Sequence, residues 1–512
     1  MEPVTPSPKQ PLACGISLQQ QAKAQTRARH VKPLEDSFPF FGGLSLAFGV
    51  LSAFCLYKNP CGITYPLLTA CSCVIGVAAW RELGFPIKKD TWYLLAFVLL
   101  TGLSVCRTAD AFLIRFNGAA LILVGCISAI HQVYDDTTWN IGKYLKSICL
   151  YLCCAVSALP FPFRHAKACL KQQDNPLVKQ LPLLFGGFLA ALPVLAVLVA
   201  LLGAADAIFS DLAARIFQGF LRPSVLFAIS LRIAFASVSL YCLICSCLLD
   251  CIPSENPDRK KAGPAAIMPG LAMITAVYVI FCLIQIVYLF LGRGTLPQGY
   301  TYSSYARQGF FQLLLVAVLN LVMVLCCLKY VRPHQAVKIL LTVICGCTCI
   351  MIASAGYRMM LYVREYHLSY LRVLVLWFLA MLAILMAGVT WLIWNCRFPM
   401  FRYSLAVILI FCLALSWSRP DSVIGWDYVN HLEGDTFSDR DFYYLYSLSA
   451  DAAPALAHLV EYKHADQTIS QEELQISLEH YYAVKACPYY QNLNLRNYNF
   501  SYAQAEKLFV GP

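Results

Sequence analysis

The sequence predicts an all-α fold: a polytopic transmembrane helix bundle of about 11 spans, one further interfacial helix and a small helical C-terminal domain. Three observations carry this expectation. The 512 residues are 59% hydrophobic and only 13% charged, with a mean hydropathy of +0.62, whereas soluble domains are about 45–50% apolar and about 25% charged. The apolar residues gather in runs of bilayer length, about 20 residues for a core of about 30 Å. The net charge of +11 lies mostly in the joints between runs, where basic residues report topology rather than nucleic-acid binding.

Residues 1–39 are polar, with Pro3, Pro6, Pro8 and Pro11 followed by QQQAKAQTRARHVK. No apolar stretch follows a short basic start, so a disordered basic tail is expected and not a cleaved signal peptide. Residues 40–417 form the expected transmembrane domain. Its spans are Phe40–Tyr57, Ile63–Trp80, Thr91–Cys106, Phe116–Tyr134, Leu181–Leu202, Val225–Leu249, Ile267–Leu291, Gly309–Leu328, Val337–Ala355, Tyr370–Trp394 and Tyr403–Trp417. The last is short and is expected to extend past Phe401. Lys143–Phe163 is interrupted by Lys146, Pro160 and Pro162, and either spans or lies along the surface. Basic residues decide. If the segment is interfacial and the N-terminus cytoplasmic, about 12 Lys and Arg fall in the later cytoplasmic loops and about 7 outside. An odd span count follows, with the N-terminus cytoplasmic and the C-terminal domain extracytoplasmic.

The joint YRMMLYVREYHLSYLRVLVLWF, residues 357–378, keeps Arg358, Arg364, Glu365 and Arg372 between two apolar runs. Arg358, Glu365 and Arg372 recur every seven residues, close to one helical stripe. Four tyrosines crowd the same place, as at a membrane interface. One reading is an interfacial ring of snorkelling arginines. The other is a basic pocket for an anionic lipid headgroup or small anion. A helix break at His367–Ser369 would let Glu365 pair with Arg372. Elsewhere, Arg232 is expected to pair with Asp206 or Asp211, or to snorkel. Gln285, Gln312 and Asn320 lie inside spans as interhelical bonds or pathway residues. Arg307 opens its span beside Tyr305 and Gly309.

SVCRTADAFL (residues 104–113) and LLGAADAIF (201–209) each end a run with Ala-Asp-Ala, so Asp110 and Asp206 are expected to cap or end helices. After Trp417 the chain turns polar and tyrosine-rich. Residues 418–512 are expected to be a soluble helical domain. Its motif is Ser449, Asp451 and Pro454, with Asp451 capping a helix that tolerates Pro454 in its first turn. Ser470 with Glu473, and Ser501 with Gln504, have capping-box spacing.

The 24 cysteines lie mostly inside apolar runs and form no disulfide framework. Cys242, Cys245, Cys247 and Cys251 do not share one helical face, so packing is expected and not a metal site. No catalytic, cofactor or metal motif is present in the sequence pattern.

Four ordered blocks are YARQGFFQLLLVAVLN (305–320), RMMLYVREYHLSYLR (358–372), DFYYLYSLSADAAPAL (441–456) and LRNYNFSYAQAEKL (495–508). Together they resemble a family of bacterial polytopic membrane proteins catalogued as domain of unknown function 4173. That resemblance implies a multi-pass protein of the bacterial cell membrane and no activity. His367 stands where the family carries glycine, and Tyr428 stands where it tends to carry asparagine after Pro420-Asp421.

The expected function is a sensing, assembly or partner-binding membrane protein, with a protein partner at the C-terminal domain. The alternative is a transporter or lipid-handling protein for an anionic solute or headgroup, using Arg232, Asn320, Arg358 and Arg372. A membrane enzyme stands last, since no acid–base pair can be named, and no cofactor is implied.

Overall fold

In a computed structural model, the structure describes residues 36–136, 141–172, 223–249, 262–287, 302–395, 397–431, 439–461, 471–485 and 495–509, with a few isolated positions besides. Among these there are helices and no strand. They run α1 (Phe38–Leu56), α2 (Thr64–Glu82), α3 (Thr91–Val105), α4 (Ala111–Val133), α5 (Ile141–Ser157), α6 (Phe161–Gln172), α7 (Pro223–Leu248), α8 (Pro264–Gln285), α9 (Tyr302–Tyr330), α10 (Gln335–Tyr366), α11 (Tyr370–Trp394) and α12 (Met400–Ser418). Shorter helices follow: α13 (Pro420–His431), α14 (Asp439–Ser447), α15 (Ala453–Glu461), α16 (Gln471–Lys485) and α17 (Phe500–Phe509). The chain is a helical, multi-pass membrane protein.

Eight helices, α1, α4 and α7 to α12, are long and apolar enough to cross a bilayer. α2 and α3 are helical as expected, but α3 has only 15 residues and α2 ends on Arg81 and Glu82. Leu181–Leu202 lies almost wholly outside the described residues. The ambiguous segment is the broken pair α5 and α6, bent by 46° at Pro160, where the pyrrolidine removes a backbone donor. α12 reaches back to Met400, as its short apolar core required.

The chain divides into two compact units. The described parts of Met1–Val50, Val74–Lys88 and Leu152–Asp250 make the first. There α7 packs on α6, with the Tyr241 hydroxyl 2.8 Å from His165 Nδ1. Cys242, Cys245 and Cys247 are buried free thiols on α7, and Arg232 is exposed on the same helix. Asp211 lies outside the described residues.

The second unit comprises Leu51–Cys73, Lys89–Tyr151 and Cys251–Pro512. Its largest core joins α8, α9, α10 and α11 around Leu341, Ile344, Met351, Leu382 and Met386. The start of α8 is pinned to the end of α9, where Ala262 and Arg332 exchange backbone bonds with Tyr330 and Ala262 at 2.8 and 3.1 Å. α10 has 32 residues, roughly 48 Å at 1.5 Å per residue. It outruns a core of about 30 Å, and its last turns carry Arg358, Arg364 and Glu365. A second core, of Ile424, Tyr428, Leu445, Leu448, Leu456 and Leu478, is built by α13 to α16 and includes Ala109 from the α3–α4 joint.

Candidate functional site

Asp451 is fully buried, yet it does not cap its own helix. Ser449 takes that role, accepting the Asp451 N–H at the start of a 3-10 turn, Ala450–Ala452, that leads into α15. The Asp451 side chain instead reaches the α3–α4 joint. One oxygen accepts the Thr108 hydroxyl and the other accepts the Ala109 N–H at 2.9 Å. The Ser501 hydroxyl of α17 donates to it as well, and Arg419, at the end of α12, stands 3.4 Å away. A carboxylate surrounded by several donors and a guanidinium is stable without water. Pro454 sits in the first turn of α15, where its missing N–H costs nothing.

Two further carboxylates line the same seam. Asp110 is the N-cap of α4, accepting the Phe112 N–H at 2.7 Å, as its position in the sequence predicts. Its second oxygen accepts the Tyr370 hydroxyl from the first turn of α11. Asp421, in the first turn of α13, accepts the Ser449 N–H at 2.9 Å. Burial pushes the Asp421 carboxyl up to about 6; the Ser449 bonds pull it down, and the charges of Asp110 and Asp451 push it further up. Burial also raises Asp110, against the bonds from Tyr370, Phe112 and Leu113. Asp110, Asp421 and Asp451 thus converge from positions far apart in the chain, and Arg419 stands beside Asp451. A signal for two of them lay in the flanking residues: Ala109-Asp110-Ala111 and Ala450-Asp451-Ala452. Small neighbours let two backbones approach, and Ala109, Ala450 and Ala452 are buried there.

The C-terminal helices hold the ends of other helices in the same way. Asn499 donates to the carbonyls of Cys61 and Thr108 at 2.8 and 3.0 Å. It also accepts the Ser501 N–H, so Asn499 caps α17 and the Ser501 hydroxyl is left for Asp451. Arg496 donates to the carbonyls of Phe54 and Tyr57 at 3.1 and 2.9 Å, closing the last turn of α1. Ser470 lies outside the described residues.

At the joint 357–378 the expected break is present: α10 ends at Tyr366 and α11 begins at Tyr370. His367 between them has φ 58° and ψ 177°, a region natural to glycine. Arg372 donates to the carbonyls of Tyr366 and His367 and lies 4.1 Å from the centre of the Tyr362 ring. Among the described residues no ion pair joins it to Glu365, which is exposed. Unpaired carbonyls at a helix end attract a cation more closely than an exposed carboxylate on a mobile side chain does. Arg358 is buried and donates to Gln285 Oε1 at 3.0 Å, which also accepts the Ser354 hydroxyl. Asn320 accepts from Tyr278 and donates to Thr348, at 2.8 and 2.9 Å. Gln285 therefore joins α8 to α10, and Asn320 joins α8, α9 and α10. The Arg307 side chain lies outside the described residues.

Two clusters had no sequence signal. His131 and Asp136 form a buried pair at 2.8 Å that Tyr144 joins. His367, Asp427 and His431 present one metal-ligating atom each, all within 4.8 Å of one another. Histidine spacing within single spans could not reveal either, because each cluster lies at a joint.

Residues 95–459 match the family described as Domain of unknown function (DUF4153). The chain belongs to that family. The four sequence blocks had pointed instead to domain of unknown function 4173, and that assignment is corrected here. The DUF4153 match spans α4 to α14 and includes Asp110, Arg419, Asp421 and Asp451; it ends before Asn499 and Ser501. No curated protein and no solved structure matches the chain.

Proposed function

We propose that this DUF4153 protein is a membrane-anchored sensing or assembly protein, and that residues 418–512 form a domain held as a layer on the extracytoplasmic span ends. Asp451 is the observation that carries the reading. Through it the start of α15 is bonded to the α3–α4 joint and to α17, with Arg419 of α12 alongside. Arg496 and Asn499 add the ends of α1 and α3. A layer tied to so many span ends responds to any relative shift between them, which is the coupling a sensor or assembly platform requires. The orientation rests on the basic-residue bias and on α1. Its last turn meets Arg496, and its 19 residues place Phe38 roughly 28 Å away along the axis.

The alternative, transport of an anion or handling of an anionic headgroup, has less support. Gln285, Asn320 and Arg358 are engaged between helices. Arg372 is engaged by carbonyls. Two measurements on the reconstituted full-length protein separate the readings. Asp451→Asn should speed amide exchange in residues 453–461 while anion flux stays at the level of empty liposomes. Flux that disappears in Arg358→Gln, together with unchanged exchange in Asp451→Asn, would establish transport and sink the coupling reading. Protease added outside intact cells should cut the C-terminal layer and spare an N-terminal tag.

A further inference from the structure

We propose that His367, Asp427 and His431 bind a divalent transition-metal ion of the zinc class, at a site independent of the coupling reading above. His367 comes from the α10–α11 joint. Asp427 and His431 are one turn apart on α13 and share a face. One ligand atom from each lies within 4.8 Å of the other two, and the two imidazole rings are 5.7 Å apart at their centres. Two imidazoles and one carboxylate are a ligand set zinc takes, at bonds of about 2.0–2.2 Å. Atoms bound at tetrahedral angles would stand roughly 3.3 Å apart, so a modest turn of the rings closes the site. The His431 side chain is 60% exposed and has room to make that turn.

The surroundings orient the ligands as metal sites require. His431 Nδ1 is 2.7 Å from the Asp427 carbonyl oxygen. That bond places the ring proton on Nδ1 and leaves the Nε2 lone pair for an ion, the device that fixes metal-binding imidazoles. Asp427 Oδ2 accepts the Leu368 N–H at 2.8 Å, so the joint that carries His367 is tied to the carboxylate. Asp427 Oδ1 lies 3.6 Å from His431 Nδ1. His367 itself occupies backbone space in which a side chain is strained and glycine is not. Keeping an imidazole there puts a ligand over α13 that a relaxed backbone would aim elsewhere. Three protein ligands leave a fourth position for water or a small anion, as in sites that exchange a ligand.

The test uses the full-length protein in detergent, stripped with chelator and dialysed against dilute zinc chloride. Bound zinc is measured by elemental mass spectrometry, and affinity by competition with a chromophoric chelator. Wild type should hold one zinc per chain more than His367→Gly or His431→Ala, and both variants should bind at least about 100-fold more weakly. His367→Gly is decisive, because glycine suits that backbone and the zinc-free variant should melt no earlier than zinc-free wild type. Cobalt substitution should give visible ligand-field bands without thiolate charge transfer, excluding the cysteines. Wild-type zinc content and affinity in His367→Gly, or thiolate bands in the cobalt form, would overturn the site.

Discussion

Replacing Asp421 by Asn should stabilise the protein above pH 7, by about half as much at pH 5, and leave it nearly unchanged below pH 3.8. Asp421 is buried at the start of α13 and its carboxyl is pushed from 3.8 up to about 6. A raised carboxyl holds its proton in the folded state after the unfolded chain has lost it. The stabilisation from that proton is fully present below 3.8 and is lost as pH rises through about 6. The shift is roughly 2 pK units, or about 3 kcal/mol, so at pH 7.5 the ionised group sits in the fold at about that cost. Asn is neutral at every pH and keeps an oxygen to accept the Ser449 N–H. Thermal unfolding of detergent-solubilised protein, followed by tryptophan fluorescence at one scan rate, measures the effect from just below pH 3.8 to about pH 8. The melting temperature of the variant minus that of wild type should be near zero below pH 3.8, positive at pH 5 and about twice as large at pH 7.5. The remaining groups are common to both proteins, and their contributions largely cancel in the difference. A variant that melts below wild type at pH 7.5, or a difference that ignores pH, would refute the reasoning.

Asp451→Ala strands the Arg419 guanidinium and three buried donors, and should cost about 3–5 kcal/mol; protease sensitivity of residues 440–510 rises in step if the seam is what holds them. Gly102→Ala would drive a Cβ into Thr69 Oγ1, where α3 crosses α2. Its cost should be about 1–3 kcal/mol, and Thr69→Ala in the same chain should recover most of it. Arg372→Gln frees the carbonyls of Tyr366 and His367, with an expected loss of about 1.5–3 kcal/mol. Native mass spectrometry of the Arg358→Gln/Arg372→Gln double variant should show wild-type retention of anionic lipid if these arginines serve the fold, and reduced retention if they form a headgroup pocket.

Hydropathy carried the architecture because bilayer burial acts on every residue of a span at once. The break at His367–Ser369, the bend at Pro160 and the cap at Asp110 were legible for a related reason: each depends on a residue and its immediate neighbours. The seam was not legible. Asp451 follows Ser449 and precedes Pro454, a local pattern that suits a helix cap, and Ser449 satisfies that cap equally well. Sequence spacing cannot tell a carboxylate that caps its own helix from one that reaches a joint more than 300 residues away. The same limit misplaced the α17 cap, where Asn499 and Ser501 are both able acceptors and the choice depends on the distant Asp451. Glu365 and Arg372 had the right separation to pair across the break, and two helix-end carbonyls outcompeted the exposed carboxylate.

Three aspartates in one seam with Arg419 beside them raise the question of where a proton would reside, and the donors answer it. Asp451 has a hydroxyl on each oxygen, a backbone N–H and the guanidinium. Asp110 has the Phe112 N–H and the Tyr370 hydroxyl. Asp421 accepts from Ser449, and it feels both other carboxylates. Hydrogen bonds to an ionised carboxylate favour ionisation, and burial beside like charge opposes it, so Asp421 is raised to about 6. Its partner Ser449 belongs to the turn that carries Asp451 into the seam. Binding of the proton and closure of the seam therefore involve one turn, and linkage makes the coupling reciprocal. Acidification below about 6 favours the closed seam. Prying the turn away from α13 returns Asp421 to water and releases its proton between pH 3.8 and about 6.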